Sequence, residues 1–161
     1  MNADRVPPGG DRTPLERSPA ERSPGGLDGP RGERFRDGGG FEVEAGYSRA
    51  ARAGRRIAVS GTTATGPDGA ALHPGDTYLQ AREALRRALD AVAALGGAPG
   101  DVLRTRVYLA PGADWRGAAR AHAELLGEVA PANTTLYVAG LVGDGFLVEV
   151  ELDAELAGEP S

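Results

Sequence analysis

Few residues in this chain could handle protons or bind a reacting group, and most of them lie in its second half. Val148-Glu149-Val150-Glu151 alternates apolar and acidic positions, which puts Glu149, Glu151 and Asp153 on one side of a strand. A carboxyl group held there, partly out of water, could orient a water molecule and carry its proton. The structural alternative for Glu149 is an ion pair across the sheet with Arg104 or Arg106. Arg106, on a strand of its own, could instead reach a bound anion. Asn133 opens another strand and offers neutral hydrogen bonds to a carbonyl or amide, or to local backbone groups. Tyr47 could close a cleft and donate its hydroxyl, or simply pack. Ser60 has no His–Asp partner nearby in sequence and no nucleophile-elbow pattern, so its expected use is a hydroxyl or backbone contact. His122 shares a helical stripe with Trp115, Ala119 and Leu126, and so is either a satisfied core residue or a site residue facing a cleft. His73, in a loop, is read as a bystander.

Composition removes whole classes of chemistry. The 161 residues include no Cys, which excludes thiolate metal sites and cysteine nucleophiles. All 18 basic residues are Arg, so a lysine Schiff base is impossible. Two His make a histidine metal cage improbable, and no metal or other cofactor is expected. A formal charge of −5 argues against nucleic-acid binding. No apolar run approaches the ~20 residues that span a bilayer, and the N-terminus lacks the apolar core of a secretory signal. These features predict a soluble, cytoplasmic protein, with neither membrane nor nucleic acid involved.

The elements that must position these residues follow from patterning. Residues 1–40 hold nine of the 25 Gly and six of the 12 Pro, with almost no large apolar residues, and are expected to be disordered. Residues 41–157 are expected to form one domain, and 158–161 a tail. Within it, Phe41 to Tyr47 is read as an edge strand, and Arg56 to Ser60 as a strand stopped by Gly61. Thr77 with Gln80 suggests a capping box before a helix whose stripe runs Tyr78, Ala81, Leu85, Ala88, Leu89, Val92 and Leu95. Val102 to Leu109 alternates as a strand, with Leu103, Thr105, Val107 and Leu109 expected on one side and Val102, Arg104, Arg106 and Tyr108 on the other. Asp114 caps a second helix that ends at Gly127. Asn133 to Leu141 and Phe146 to Asp153 are read as a hairpin joined by Val142-Gly143-Asp144-Gly145. The order β-β-α-β-α-β-β gives an α+β sheet with two helices on one face. The other face, carrying charges of both signs, suits water or a polar subunit interface.

Six short motifs, in order, carry a family resemblance. They are Gly46-Tyr47-Ser48, Ile57-Ala58-Val59-Ser60-Gly61, Gln80, Gly100-Asp101-Val102, Pro131-Ala132 and Val148-Glu149-Val150-Glu151. Over about residues 43–155 the chain resembles the Rid (YjgF, reactive-intermediate deaminase) family. Ser60-Gly61-Thr62-Thr63-Ala64-Thr65 and Arg120-Ala121-His122 look like a divergent branch. The resemblance implies a chorismate-mutase-like fold, a homotrimer and three inter-subunit clefts. It also implies cofactor-independent hydrolysis of 2-imino or 2-enamino acids to the keto acid and ammonia. Glu149, Tyr47 and Ser60 are then the expected catalytic set. Gly61, Thr62, Asn133, Thr135, Arg106 and His122 are the expected binding set. The family's Arg after Pro-Ala, which holds a carboxylate, is Asn133 here. The family Asn in the second helix falls at Ala119. A neutral or larger substrate is therefore expected. The alternatives are a specialised-metabolite tailoring enzyme, by condensation, cyclisation or decarboxylation, and a non-catalytic metabolite-binding trimer. RNA binding, attached to some relatives, gains no support from the charge.

Overall fold

Val148–Glu155 alternates buried and half-buried side chains along its whole length, and such a strand can be paired on both edges. In the computed structural model, which describes residues 32–158, it is a central strand of a six-stranded sheet. The elements are β1 (Glu33–Phe35), α1 (Gly40–Glu44), β2 (Ala50–Ala53), β3 (Arg56–Thr63), α2 (Thr77–Ala94) and β4 (Val102–Leu109). After these come α3 (Trp115–Leu126), β5 (Ala132–Tyr137) and β6 (Val148–Glu155). The strand order is β1-β2-β3-β6-β4-β5. All neighbours are antiparallel except β4 and β5, whose parallel pairing needs the crossover that α3 supplies.

The core lies between one sheet face and the two long helices. Leu85, Ala88 and Val92 of α2 and Ala118, Ala121 and Leu126 of α3 pack with Ile57, Val107, Val150 and Leu152 of the sheet. Each large apolar side chain so buried stabilises the fold by about 1.5–3 kcal/mol. The mixed α+β architecture with helices on one face is the expected one, but four local expectations are corrected.

The first concerns Phe41 to Tyr47, which is not an edge strand. Glu42, 1 % exposed, accepts hydrogen bonds from the backbone N–H groups of Asp37, Gly38 and Arg49. One carboxylate thus satisfies donors that a ladder would otherwise take, and the segment turns through α1 instead. The sheet edge is β2, extended by β1. The expected boundary near residue 40 therefore falls inside the described unit, while residues 1–31 and 159–161 lie outside the described residues.

The second is the capping box. Asp76 caps α2 by accepting from the Leu79 N–H. Gln80 is buried in the core, donating to the carbonyls of His73 and Gly145 and accepting from the Leu147 N–H. Third, β5 and β6 are not a hairpin. Gly143 and Gly145 do turn the chain with φ of 92° and 79°, but within a long return from the sheet edge to its centre. Fourth, a register shift between Val102 and Arg104 turns Val102 inward and leaves Leu103 exposed.

Candidate functional site

The candidate residues separate onto the two faces of the sheet. Along β6, Val148, Val150 and Leu152 point under the helices, so Glu149, Glu151 and Asp153 point away from them. Along β4, Thr105 and Val107 lie under the helices, and Arg106 and Tyr108 face outward. The parallel register pairs Thr105 with Asn133 and Val107 with Thr135, which puts both β5 residues on the helix side. Glu149 and Asn133 therefore stand on opposite faces, and one chain does not bring them together.

Gly61 does not stop β3 as expected: the strand bulges there and pairs on to Thr63, and the outer group is built around this bulge. Val59 pairs with Leu152 and Thr62 with Val150, so Ser60 and Gly61 both stand opposite Glu151. Gly61 has no side chain where the Glu149 carboxylate lies, and a Cβ there would collide with it. Ser60 Oγ donates to the Ser48 carbonyl at 2.8 Å, tying β3 to the segment that carries Tyr47. Thr62 turns inward, 3 % exposed, and donates to the Ser60 carbonyl.

Arg49 was not singled out in the sequence and holds this region together. Its Nε donates to Asp37 at 2.9 Å, its Nη1 to the Gly61 carbonyl at 2.6 Å, and its guanidinium lies 5.8 Å from the Tyr47 ring centre. The available signal was its place directly after Tyr47-Ser48.

Charge on this face is largely neutralised in pairs. Arg106 Nη1 meets Asp153 at 3.1 Å and Glu151 at 3.4 Å, and the Tyr108 hydroxyl donates to Glu151. Arg106 is thus committed to acidic neighbours and lies on the face away from Asn133. Glu149 forms no ion pair with either Arg104 or Arg106 among the described residues. Burial pushes its carboxyl above the usual 4.5, the neighbouring Glu151 charge pushes the same way, and Arg49 opposes them. A carboxyl so placed can take a proton from a water molecule and return it to a reacting group.

The second group is a cavity of about 130 Å³ beneath α3, lined by Val107, Ala118, Ala119, His122, Asn133 and Thr135. Its polar groups form one chain. The Thr135 hydroxyl donates to Asn133 Oδ1 at 3.0 Å, Asn133 Nδ2 to Thr105 Oγ1 at 3.0 Å, and Thr105 Oγ1 lies 2.8 Å from His122 Nε2. Burial pushes the His122 imidazole below 6.5, toward the neutral form. Thr105 belongs to no motif in the sequence. Its signal was a lone polar residue on the apolar, inward side of β4. Among the described residues no group of three His, Cys, Asp or Glu could hold a metal ion, and no helix is long and apolar enough to cross a membrane.

The chain as a whole is similar to known proteins. The profile of the family described as Endoribonuclease L-PSP matches residues 40–156. An uncharacterized protein of Streptomyces coelicolor is 40% identical over 121 residues, covering 75% of this chain and 90% of that protein. Among solved structures, a YjgF-family protein of Mycobacterium tuberculosis is 36% identical with a TM-score of 0.69, covering 77% of this chain and 98% of its own. The YjgF gene product of E. coli is 26% identical with a TM-score of 0.60, covering 68% and 87%.

Proposed function

The chain belongs to the YjgF/L-PSP family, and from that premise we propose that it is a cofactor-independent small-molecule enzyme acting on an imine, an enamine or a related activated carbon. The observation that carries this reading is Glu149, an ionisable carboxyl left out of every neighbouring ion pair, half-buried against Gly61 and raised in pKa. In hydrolysis, water adds to the C=N carbon while Glu149 takes its proton. With the imine nitrogen entering protonated, this gives a neutral carbinolamine; Glu149 returns the proton to nitrogen, ammonia leaves as the hydroxyl oxygen closes the C=O bond, and the hydroxyl proton passes to Glu149. Tyr47 and Arg49 shape the wall beside it. Ser60 acts by anchoring that wall, through its bond to the Ser48 carbonyl.

The substrate's other end is held at Asn133 and Thr135, and a second copy of the chain brings that cavity to Glu149. Two features support such an assembly. The two groups occupy opposite faces of one sheet. Edge strand β5 is also exposed at all six residues, and among the described residues no strand pairs with its outer edge. A homotrimer with three shared clefts satisfies both. The acidic charge and the ion-paired arginines give no support to a ribonuclease reading, which the family's descriptive name invites.

Ammonia release from a panel of freshly generated imines, neutral and carboxylate-bearing, tests the proposal. Release by the wild type and its loss in Glu149→Gln are expected. Equal release by both would overturn it. A second reading, a non-catalytic metabolite-binding trimer, draws on the uncharged side chain at position 133. It requires that the panel yield no ammonia while a ligand still binds.

A further inference from the structure

We propose that the cavity beneath α3 recognises a neutral carbonyl-bearing group, such as an amide, lactam or ketone, and that Thr105 sets this preference by fixing His122 as a hydrogen-bond donor. The inference deepens the reading above and rests on its assignment of a small-molecule cleft.

Thr105 is wholly buried, and its hydroxyl stands between Asn133 Nδ2 and His122 Nε2. A hydroxyl has one proton to give. The carboxamide oxygen of Asn133 is taken by the Thr135 hydroxyl, so its nitrogen end faces Thr105 and donates to it. Were Thr105 to accept from His122 as well, its own buried O–H would have no acceptor among the described residues, so its proton goes to Nε2 of His122. An accepting Nε2 is unprotonated, and the neutral ring then carries its proton on Nδ1. Among the described residues Nδ1 has no hydrogen-bond partner, and no enclosed side-chain polar atom is left unpaired, so this N–H reaches open space beside the cavity that the ring lines.

None of the lining residues carries a formal charge in this state. A carboxylate entering the cavity would lose hydration and meet no cation, whereas a neutral carbonyl needs only a donor. Thr105 is a positioning residue here, since it acts through His122.

The test uses the full chain with ¹⁵N-labelled histidine, the two rings being distinguished by His122→Gln. Long-range ¹H–¹⁵N spectra should show His122 with its proton on Nδ1. Thr105→Val should release that tautomer, and Thr105→Ser, which keeps the hydroxyl, should retain it. In parallel, pyruvamide and pyruvate are titrated as a matched neutral and anionic pair. Wild type should prefer the amide by about fivefold, the effect of one neutral hydrogen bond, and Thr105→Val should erase the preference. A proton on Nε2 in the wild type, or pyruvate binding as well as pyruvamide, would overturn the proposal. Neither readout requires turnover, so a failure of the Glu149 mechanism is separable from a failure here.

Discussion

The two faces of β4 treat charge in opposite ways. Outward, Arg106 pairs with Glu151 and Asp153, the Tyr108 hydroxyl donates to Glu151, and Glu149 stands beside that set unpaired. Inward, Thr105 joins His122, Asn133 and Thr135 in a chain without formal charge. Under the proposed function the two faces have different tasks: proton transfer on the first, and recognition of an uncharged group on the second. A carboxyl left unpaired beside acidic neighbours has an electrostatic cost, and a proton-transfer role gives that cost a function.

Replacing the mobile proton should break the comparison most severely. Glu149→Gln is expected to lower ammonia release by about 10²–10⁴-fold, the usual contribution of a general acid–base group. The same variant should be more stable than wild type at neutral pH. Because the folded state raises the Glu149 pKa, its carboxyl favours folding only while protonated, and stability is lost as pH rises upward from 4.5. Thermal melts of the two proteins should therefore diverge above that value and converge below it. A variant that melts lower at every pH would contradict the assignment.

Gly61→Ala moves the same carboxyl without removing it. The added methyl meets Glu149 directly, and a displacement of this kind costs on the order of 10²-fold in rate. Substrate affinity measured with an unreactive carbonyl analogue should change far less.

Asn133→Arg sharpens the comparison by giving the neutral face a charge. Turnover of small carboxylate-bearing imines should rise by about five- to thirtyfold, since a charge-assisted two-pronged contact exceeds a neutral amide contact by ~1–2 kcal/mol. Combining it with Glu149→Gln should remove the gain. The smallest effect is expected away from both faces, at Glu83 on α2. Arg86 and Arg87 hold its carboxyl down at about 2, so its contribution is present above 4.5 and is lost as pH falls from there toward 2. Glu83→Gln should cost about 0.5 kcal/mol at neutral pH, with unchanged turnover.

Much of this fold was legible because single segments carried their own pattern. The apolar–acidic alternation of β6 and the 3.6-residue stripe of α2 identify both elements and their buried sides. Pairing partners were not legible. Asn133 and Phe146 both begin strand-like runs separated by glycine turns, and a hairpin is the local solution. The buried Val148, Val150 and Leu152 demand the sheet centre, and that demand depends on distant β3 and β4. Glu42 shows the same limit, since its three backbone partners span residues 37–49 and outweigh the strand pattern around Phe41.

At the site, Glu149, Asn133 and His122 could be singled out by residue type and family-like spacing. Thr105 and Arg49 leave only faint marks in the sequence, because their roles lie in bonds to residues distant along the chain. The separation of Glu149 from Asn133 onto opposite faces likewise appears only once register is known.

The central claim, that the two faces form one site only between copies, is tested most directly by mixing two inactive variants. Glu149→Gln removes the proton carrier, and Ala119→Trp fills the cavity beneath α3. Each alone should be inactive in ammonia release. After subunit exchange, confirmed by native mass spectrometry, equal amounts of the two should recover about a quarter of wild-type activity. Random assortment in a ring pairs an intact outer face with an intact cavity at that share of the interfaces. Exchange without any recovery of activity would contradict the shared site.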